Sequence, residues 1–270
     1  IMNESLLKSL IRLFAIIVSS DKGEVSEPAL KVIADFLKIE FSSEQIDQYL
    51  DEIGLSGDKY NRKKTKEETS AHSIDSIDSI CDAINADFEQ HQKVWIILQL
   101  IEFVSDTGYL SDQEFDIIKH IADMLYMPED EYYNGKGFIL ANNPSAIPIT
   151  QNVIAYHGSQ KFPFDSQIKN FQYINLQGIV FFLHIPSTNT LLIKYFGESN
   201  IFLNSKALKP GRAYIFGTGG VIRSPRVEPI YFSRIAGTFF QSWSKTNIRI
   251  TAENIEYKHK GSKDGVYPFT

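Results

Sequence analysis

A six-residue turn that occurs twice limits what the front half of this chain can fold into. It reads DKGEVS from Asp21 and DTGYLS from Asp106. Each copy closes one apolar helical run and opens another. Gly23 supplies the left-handed backbone that ends a helix at low cost. Ser26 is placed to cap the next helix. Pro28 falls in its first turn, where a missing N–H costs nothing, and Glu27 favours the positive end of the helix dipole. In the second copy, Ser111-Asp112-Gln113-Glu114 is a full capping box. The first 130 or so residues therefore read as a duplicated all-helical unit.

The apolar spacing fills in the helices. Leu6, Leu7, Leu10, Ile11, Phe14, Ile17 and Val18 recur at steps of three and four, which puts them on one stripe. Leu30, Ile33 and Leu37 make a second stripe. Ser42 and Gln45 form a capping-box pattern ahead of Ile46, Tyr49, Leu50 and Ile53. Ile74, Ile77, Cys81, Ile84 and Phe88 give the cleanest helical period. It places Cys81 on a buried face, as core filler rather than as a reactive thiol. Trp95, Ile97, Leu98 and Ile101 belong to a run that is apolar nearly all round, the mark of a central helix. Phe115, Ile118, Ile121, Ala122 and Leu125 face inward after the second turn. Residues 56–72 are polar and read as a surface loop. Their basic residues Arg62, Lys63, Lys64 and Lys66 are too few for a nucleic-acid patch, so no nucleic-acid partner is expected.

Charge divides the chain in two. Residues 1–140 hold 13 Lys/Arg and 27 Asp/Glu, a net of -14, whereas residues 141–270 hold 14 and 6, a net of +8. Such a break argues for two domains with different partners, able to attract each other. The single cysteine excludes an intrachain disulfide framework and fits a reducing compartment. No run reaches the roughly 18 apolar residues of a membrane span, and the start does not read as a signal peptide. Ile1 precedes Met2, so the sequence is expected either to carry an added residue or to begin inside a longer protein.

Residues 5–130 resemble the TerB-like family, known from tellurite-resistance proteins and from the N-terminal domain of a membrane-anchored co-chaperone. The resemblance rests on the acidic-glycine turn ahead of a capped helix, with Lys22 and Thr107 here between the Asp and the Gly. It implies a compact helical bundle with a pseudo-twofold repeat and, for some members, divalent metal. Asp21, Glu24, Asp106 and Asp112 would share such a site if the two turns meet in space. In the other reading each Asp satisfies backbone N–H groups of its own turn and each Ser caps a helix. Neither turn has the carboxylate spacing of a calcium-binding EF-hand loop.

Residues 134–152, with two Gly, two Pro and several Asn, are expected to be a linker between a helical domain (1–133) and a β domain (153–247). In the second domain the period changes to two. Ile179–Ile185 and Leu191–Tyr195 are strand runs joined by a PSTN turn. Residues 201–203, 213–216, 221–222 and 230–232 follow as short strands, which reads as an antiparallel β-sandwich or barrel. The stretch FGESNIFLNSKALKPGRAYIFGTGGVIR resembles part of a forkhead-associated (FHA) domain, with Asn204-Ser205 standing where that family has Asn-Gly. The Ser-x-x-His motif with which the family recognises phosphothreonine does not occur. Asn204, Arg212, Arg223, Arg226 and Arg234 are candidates for an anion or partner site.

No phosphate loop, dinucleotide fingerprint, HExxH or GxSxG is present, and no acid, base and nucleophile set suggests catalysis. Residues 248–270 (IRITAENIEYKHKGSKDGVYPFT) resemble the opening strands of an ABC-transporter ATPase. That resemblance makes Tyr257 the aromatic that stacks on adenine, with ATP bound only by a domain further on. The alternative is a plain final hairpin of the β domain. The expected function is that of a non-catalytic regulatory or docking region in a cytoplasmic protein. Its partners would be the rest of a transporter, at the inner face of the membrane, where the basic half favours anionic surfaces. A metal-binding stress-response module is the alternative.

Overall fold

The computed structural model describes residues 4–19, 27–37, 66–107, 112–164, 167–225 and 227–243. Among these, helices occupy the N-terminal half: α1 (Glu4–Ser19), α2 (Glu27–Leu37), α3 (Lys66–Asp87), α4 (Gln90–Thr107), α5 (Asp112–Met124) and α6 (Glu129–Leu140). The C-terminal half holds β1 (Val153–His157), β2 (Lys169–Gln172), β3 (Ile179–Ile185), β4 (Thr190–Phe196), β5 (Phe202–Leu203), β6 (Lys206–Ala207), β7 (Ala213–Phe216), β8 (Val221–Ser224) and β9 (Val227–Tyr231). A helix, α7 (Phe232–Trp243), follows them. The strands form a five-stranded sheet in the order β2-β1-β3-β4-β7 and a four-stranded sheet in the order β6-β5-β8-β9. Only the β1–β2 pair among them is parallel.

The helices arise where the spacing places apolar stripes. Leu6, Leu7, Leu10, Ile11, Phe14 and Ile17 of α1 are buried, as are Ile77, Cys81 and Ile84 of α3 and Phe115, Ile118, Ile121 and Ala122 of α5. The all-round apolar run is the central helix α4, which packs against α1, α5 and α6. Phe14, Phe36 and Phe103 tie α1, α2 and α4 together, with ring centroids 4.2–5.4 Å apart.

The five-stranded sheet is the middle layer, and its pleat explains why. Successive side chains on a strand point to opposite faces. In β3, Ile179, Phe181, Leu183 and Ile185 join the core of the helices, together with Val153, Ala155, Leu192 and Ala213. The alternate residues, Val180 and Phe182 with Ile154, Tyr156, Leu191, Ile193 and Phe216, form a second core with the four-stranded sheet and α7. Every residue of β3 is buried. Fully burying one such side chain contributes about 1.5–3 kcal/mol. Detaching either layer would therefore re-expose several of these residues at once.

Four expectations need correction. Residues 66–72, read as loop, begin α3, while 56–65 lie outside the described residues. The linker expected over 134–152 is helical as far as Leu140. Its glycines mark close packing rather than a break. A Cβ on Gly135 would sit 3.1 Å from Leu98 Cδ2, and one on Gly137 would meet Pro148 Cγ at 2.8 Å. The second half is not purely antiparallel, because β1 and β2 pair in parallel. It is also not purely β, because α7 follows β9 directly, burying Ile235, Ala236 and Phe239 at helical spacing. The first copy of the duplicated turn and the 248–270 tail lie outside the described residues.

Candidate functional site

A cavity of about 420 Å³ opens where the helical layer meets the five-stranded sheet. One wall is a stripe of α4. Trp95, Leu98, Gln99 and Glu102 follow one another at three, one and three residues, the spacing of one helix face, and all four line the space. Leu192, Ala213, Tyr214 and Ile215 of β4 and β7 form the opposite wall, and Asn204, Lys206 and Arg212 lie at its polar side.

Local structure delivers Arg212 to this place. Lys209-Pro210-Gly211-Arg212 is a turn in which the Arg212 N–H donates to Lys209 O. Pro sets the second position, and Gly211 takes φ +77° at the third, a combination that fits a type II turn. The Gly211 N–H donates to Tyr195 O at 2.7 Å, anchoring the turn to β4. Arg212 Nε then donates to Glu102 Oε1 at 2.7 Å, and Nη2 lies 3.3 Å from Asp106 Oδ2. Glu102 and Asp106 are one turn apart on α4, so a single guanidinium reaches both. Burial opposes the Arg212 charge, but Glu102 and Asp106 outweigh it and hold the group above its ordinary range. The guanidinium carbon also lies 6.0 Å from the Phe36 ring centre and 5.9 Å from that of Tyr214.

One strand further in stands Lys194, paired in register with Ala213. Its side chain is only 1% exposed, and its Nζ donates to Phe138 O, Ile139 O and Ala141 O at 2.7–2.9 Å. Carbonyls at the end of a helix have no intrahelical partner. The three N–H groups of the ammonium thus meet acceptors from the end of α6. Burial pushes Lys194 down from 10.5 to about 8, while Glu102 and Asp106 pull it back up. At the other end of α6, buried Glu131 accepts from Ser187 N at 2.8 Å and from Ser187 Oγ at 2.5 Å. These polar contacts stitch the acidic helical half to the basic strand half.

The structure brings together some of the expected site residues. Asn204 and Arg212 share the cavity. Asn204 has φ +47° and Ser205 φ +73°, the left-handed pair of a two-residue hairpin turn between β5 and β6, and Asn204 Oδ1 accepts from Val221 N. Arg223 is exposed on β8. Arg234 lies over Tyr173, with its guanidinium carbon 5.3 Å from the ring centre. Asp106 is engaged with Arg212, and exposed Asp112 begins α5. Asp21, Glu24, Arg226 and Tyr257 lie outside the described residues, within which no group of three His, Cys, Asp or Glu side chains could hold a metal ion.

Sequence reasoning missed Glu102 and Lys194. Both carried a signal: each is a lone charge inside an apolar run, WIILQLIEFV and LLIKY. A charge in such a place must find a partner. No helix among the described residues is long and apolar enough to cross a membrane. No protein-family model, no curated protein and no solved structure matches the chain.

Proposed function

We propose that this chain is a non-catalytic regulatory and docking region, a TerB-like helical unit joined to an FHA-like β unit. It works ahead of a transporter ATPase at the cytoplasmic face of a membrane. The observation that carries the reading is the ion pair of Arg212 with Glu102, both of which line the cavity, together with Asp106 on the same guanidinium. An ion pair that joins two halves beside an opening couples whatever enters the opening to how firmly the halves are joined. A coupling of this kind serves regulation, whether or not any bond is made or broken there. The opposite charges of the two halves, -14 and +8, support the same assignment. A net basic half favours anionic partners and a net acidic half favours cationic ones.

The test is the natural reading frame beyond Thr270. A GxxxxGK phosphate loop within a few dozen residues is expected, which would make this chain the front of an ATP-binding protein. A stop codon at that point would refute the transporter assignment.

A further inference from the structure

We infer that the cavity between α4 and β7 binds a small uncharged, mainly apolar molecule whose one polar group is met by Gln99. The size comes first. About 420 Å³ falls in the lower part of the range of roughly 300–1,000 Å³ typical of small-molecule sites. That admits a single medium-length chain or a bicyclic ring, but not a helix of a partner protein.

Charge then sets the class. Glu102, Lys206 and Arg212 line the cavity, and none of the three is free. Arg212 holds both Glu102 and Asp106, and Lys206 has a partner of its own. An anionic head would have to draw Arg212 from its carboxylates. A cationic head would have to draw Glu102 from Arg212. Either exchange strands a largely buried charge without its counter-charge. A neutral molecule disturbs neither, and it suits the rest of the wall. Trp95 and Leu98 on one side, and Leu192 and Ile215 on the other, offer an apolar sleeve.

One lining group is left to orient the occupant. Asn204 Oδ1 already accepts from Val221 N, and the Tyr214 hydroxyl oxygen accepts from Lys209 N. Gln99, next to Leu98 on the α4 stripe, is half-buried and makes no side-chain hydrogen bond among the described residues. Its amide offers a donor and an acceptor together. A ligand hydroxyl, which also gives and takes a hydrogen bond, matches it.

The occupant would touch the helical wall and the sheet wall beside the Arg212–Glu102 pair, so its binding would favour the joined state of the two halves. The inference rests on the regulatory reading for its purpose but not for its chemistry. The chain can bind an alcohol whatever follows Thr270, so either test can fail alone.

The experiment uses Trp95, one of two tryptophans in the chain. In a Trp243→Phe background, Trp95 emission reports on the cavity it lines. Three probes of equal chain length are titrated at pH 7: octanol, octanoate and octylammonium. A saturable change is expected for octanol, with each ion at least about tenfold weaker. Gln99→Leu is expected to weaken octanol about fivefold, as befits the loss of one neutral hydrogen bond. Ile215→Phe, which fills the sleeve, is expected to abolish binding. Either ion binding as tightly as octanol would overturn the neutral class. Unchanged octanol binding in Gln99→Leu would overturn the placing of the polar group, and unchanged binding in Ile215→Phe would overturn the location. Absence of any saturable change with octanol would overturn the site itself. If Ile215→Phe does not fold, the three probes and Gln99→Leu still decide the matter.

Discussion

Lys194→Met isolates the buried ammonium from the stem that carries it. The methionine retains an apolar chain of similar reach in the same slot. It removes the Nζ that donates to Phe138, Ile139 and Ala141 carbonyls. Each buried acceptor left unsatisfied costs about 1–3 kcal/mol. Three of them together oppose the saving from no longer burying a charge. That saving is readable from the lowered lysine: from 10.5 to about 8, at about 1.4 kcal/mol per pH unit, gives roughly 3 kcal/mol. The carbonyls outweigh it over most of their range, so a net loss of about 2–4 kcal/mol is expected. Urea unfolding at pH 7, followed by far-ultraviolet circular dichroism, measures the loss through the midpoint at a common slope. Hydrogen exchange adds a local readout, with faster exchange expected at the end of α6 than at the middle of α4. A Lys194→Met variant as stable as the wild type, or more so, would refute the reasoning. It would mean that water or a small backbone shift satisfies the helix end as well as the ammonium does.

Three further outcomes follow from the same contacts. Below pH 8 Lys194 is charged in both folded and unfolded chains, but between about 8 and 10.5 the folded state has lost a proton that the unfolded state keeps. Its contribution to stability therefore rises through that window. Cys81, raised from 9.0 to about 12 mainly by burial, and Tyr132, raised mainly by burial, act in the opposite sense above pH 9 and 10. The wild-type-minus-Lys194→Met difference isolates the lysine, and a flat difference between pH 8 and 10 would count against it. Glu102→Gln, which removes the better-buried partner of Arg212, is expected to cost about 3 kcal/mol in thermal or urea unfolding. Asp106→Asn, at a 43% exposed side chain, should cost under about 1 kcal/mol, and equal effects would contradict the geometry. Cys81 is fully buried and its thiol is held far above neutral, so Ellman's reagent at pH 8 should label it only as fast as the chain unfolds. Rapid labelling of the native protein would place that face of α3 in solvent.

Much of the helical half was legible because each stripe had a period that only one backbone satisfies. The all-apolar character of Trp95–Val104 marked α4 as central, and it is. In the strand half, IVFFLHI and LLIKY announced β3 and β4. A continuous apolar run without alternation is also the pattern of a strand covered on both faces, a signal that the reading of a two-residue period passed over. Glycine misled at 135 and 137, where a small residue served packing between α6 and its neighbours rather than a turn. Proline and glycine at 210 and 211 did mark a turn, and that turn aims Arg212.

The junction itself was legible only as a sum of charge. The opposite signs of the halves foretold attraction, yet exposed charges more than about 8–10 Å apart are largely screened by salt. The polar contacts that join the halves beside their shared apolar core are short-ranged and mostly buried: an ammonium on three carbonyls, a guanidinium on two carboxylates, a carboxylate on one serine. Each such pair links residues more than 50 positions apart, as Lys194 with Ile139 and Arg212 with Glu102. Local pattern cannot name a partner at that separation. It can only flag that a charge stranded in an apolar run must have one. Glu102 and Lys194 both meet that condition, and both lie at the junction. For a chain of this kind, lone charges in otherwise apolar elements are therefore the residues to mutate first.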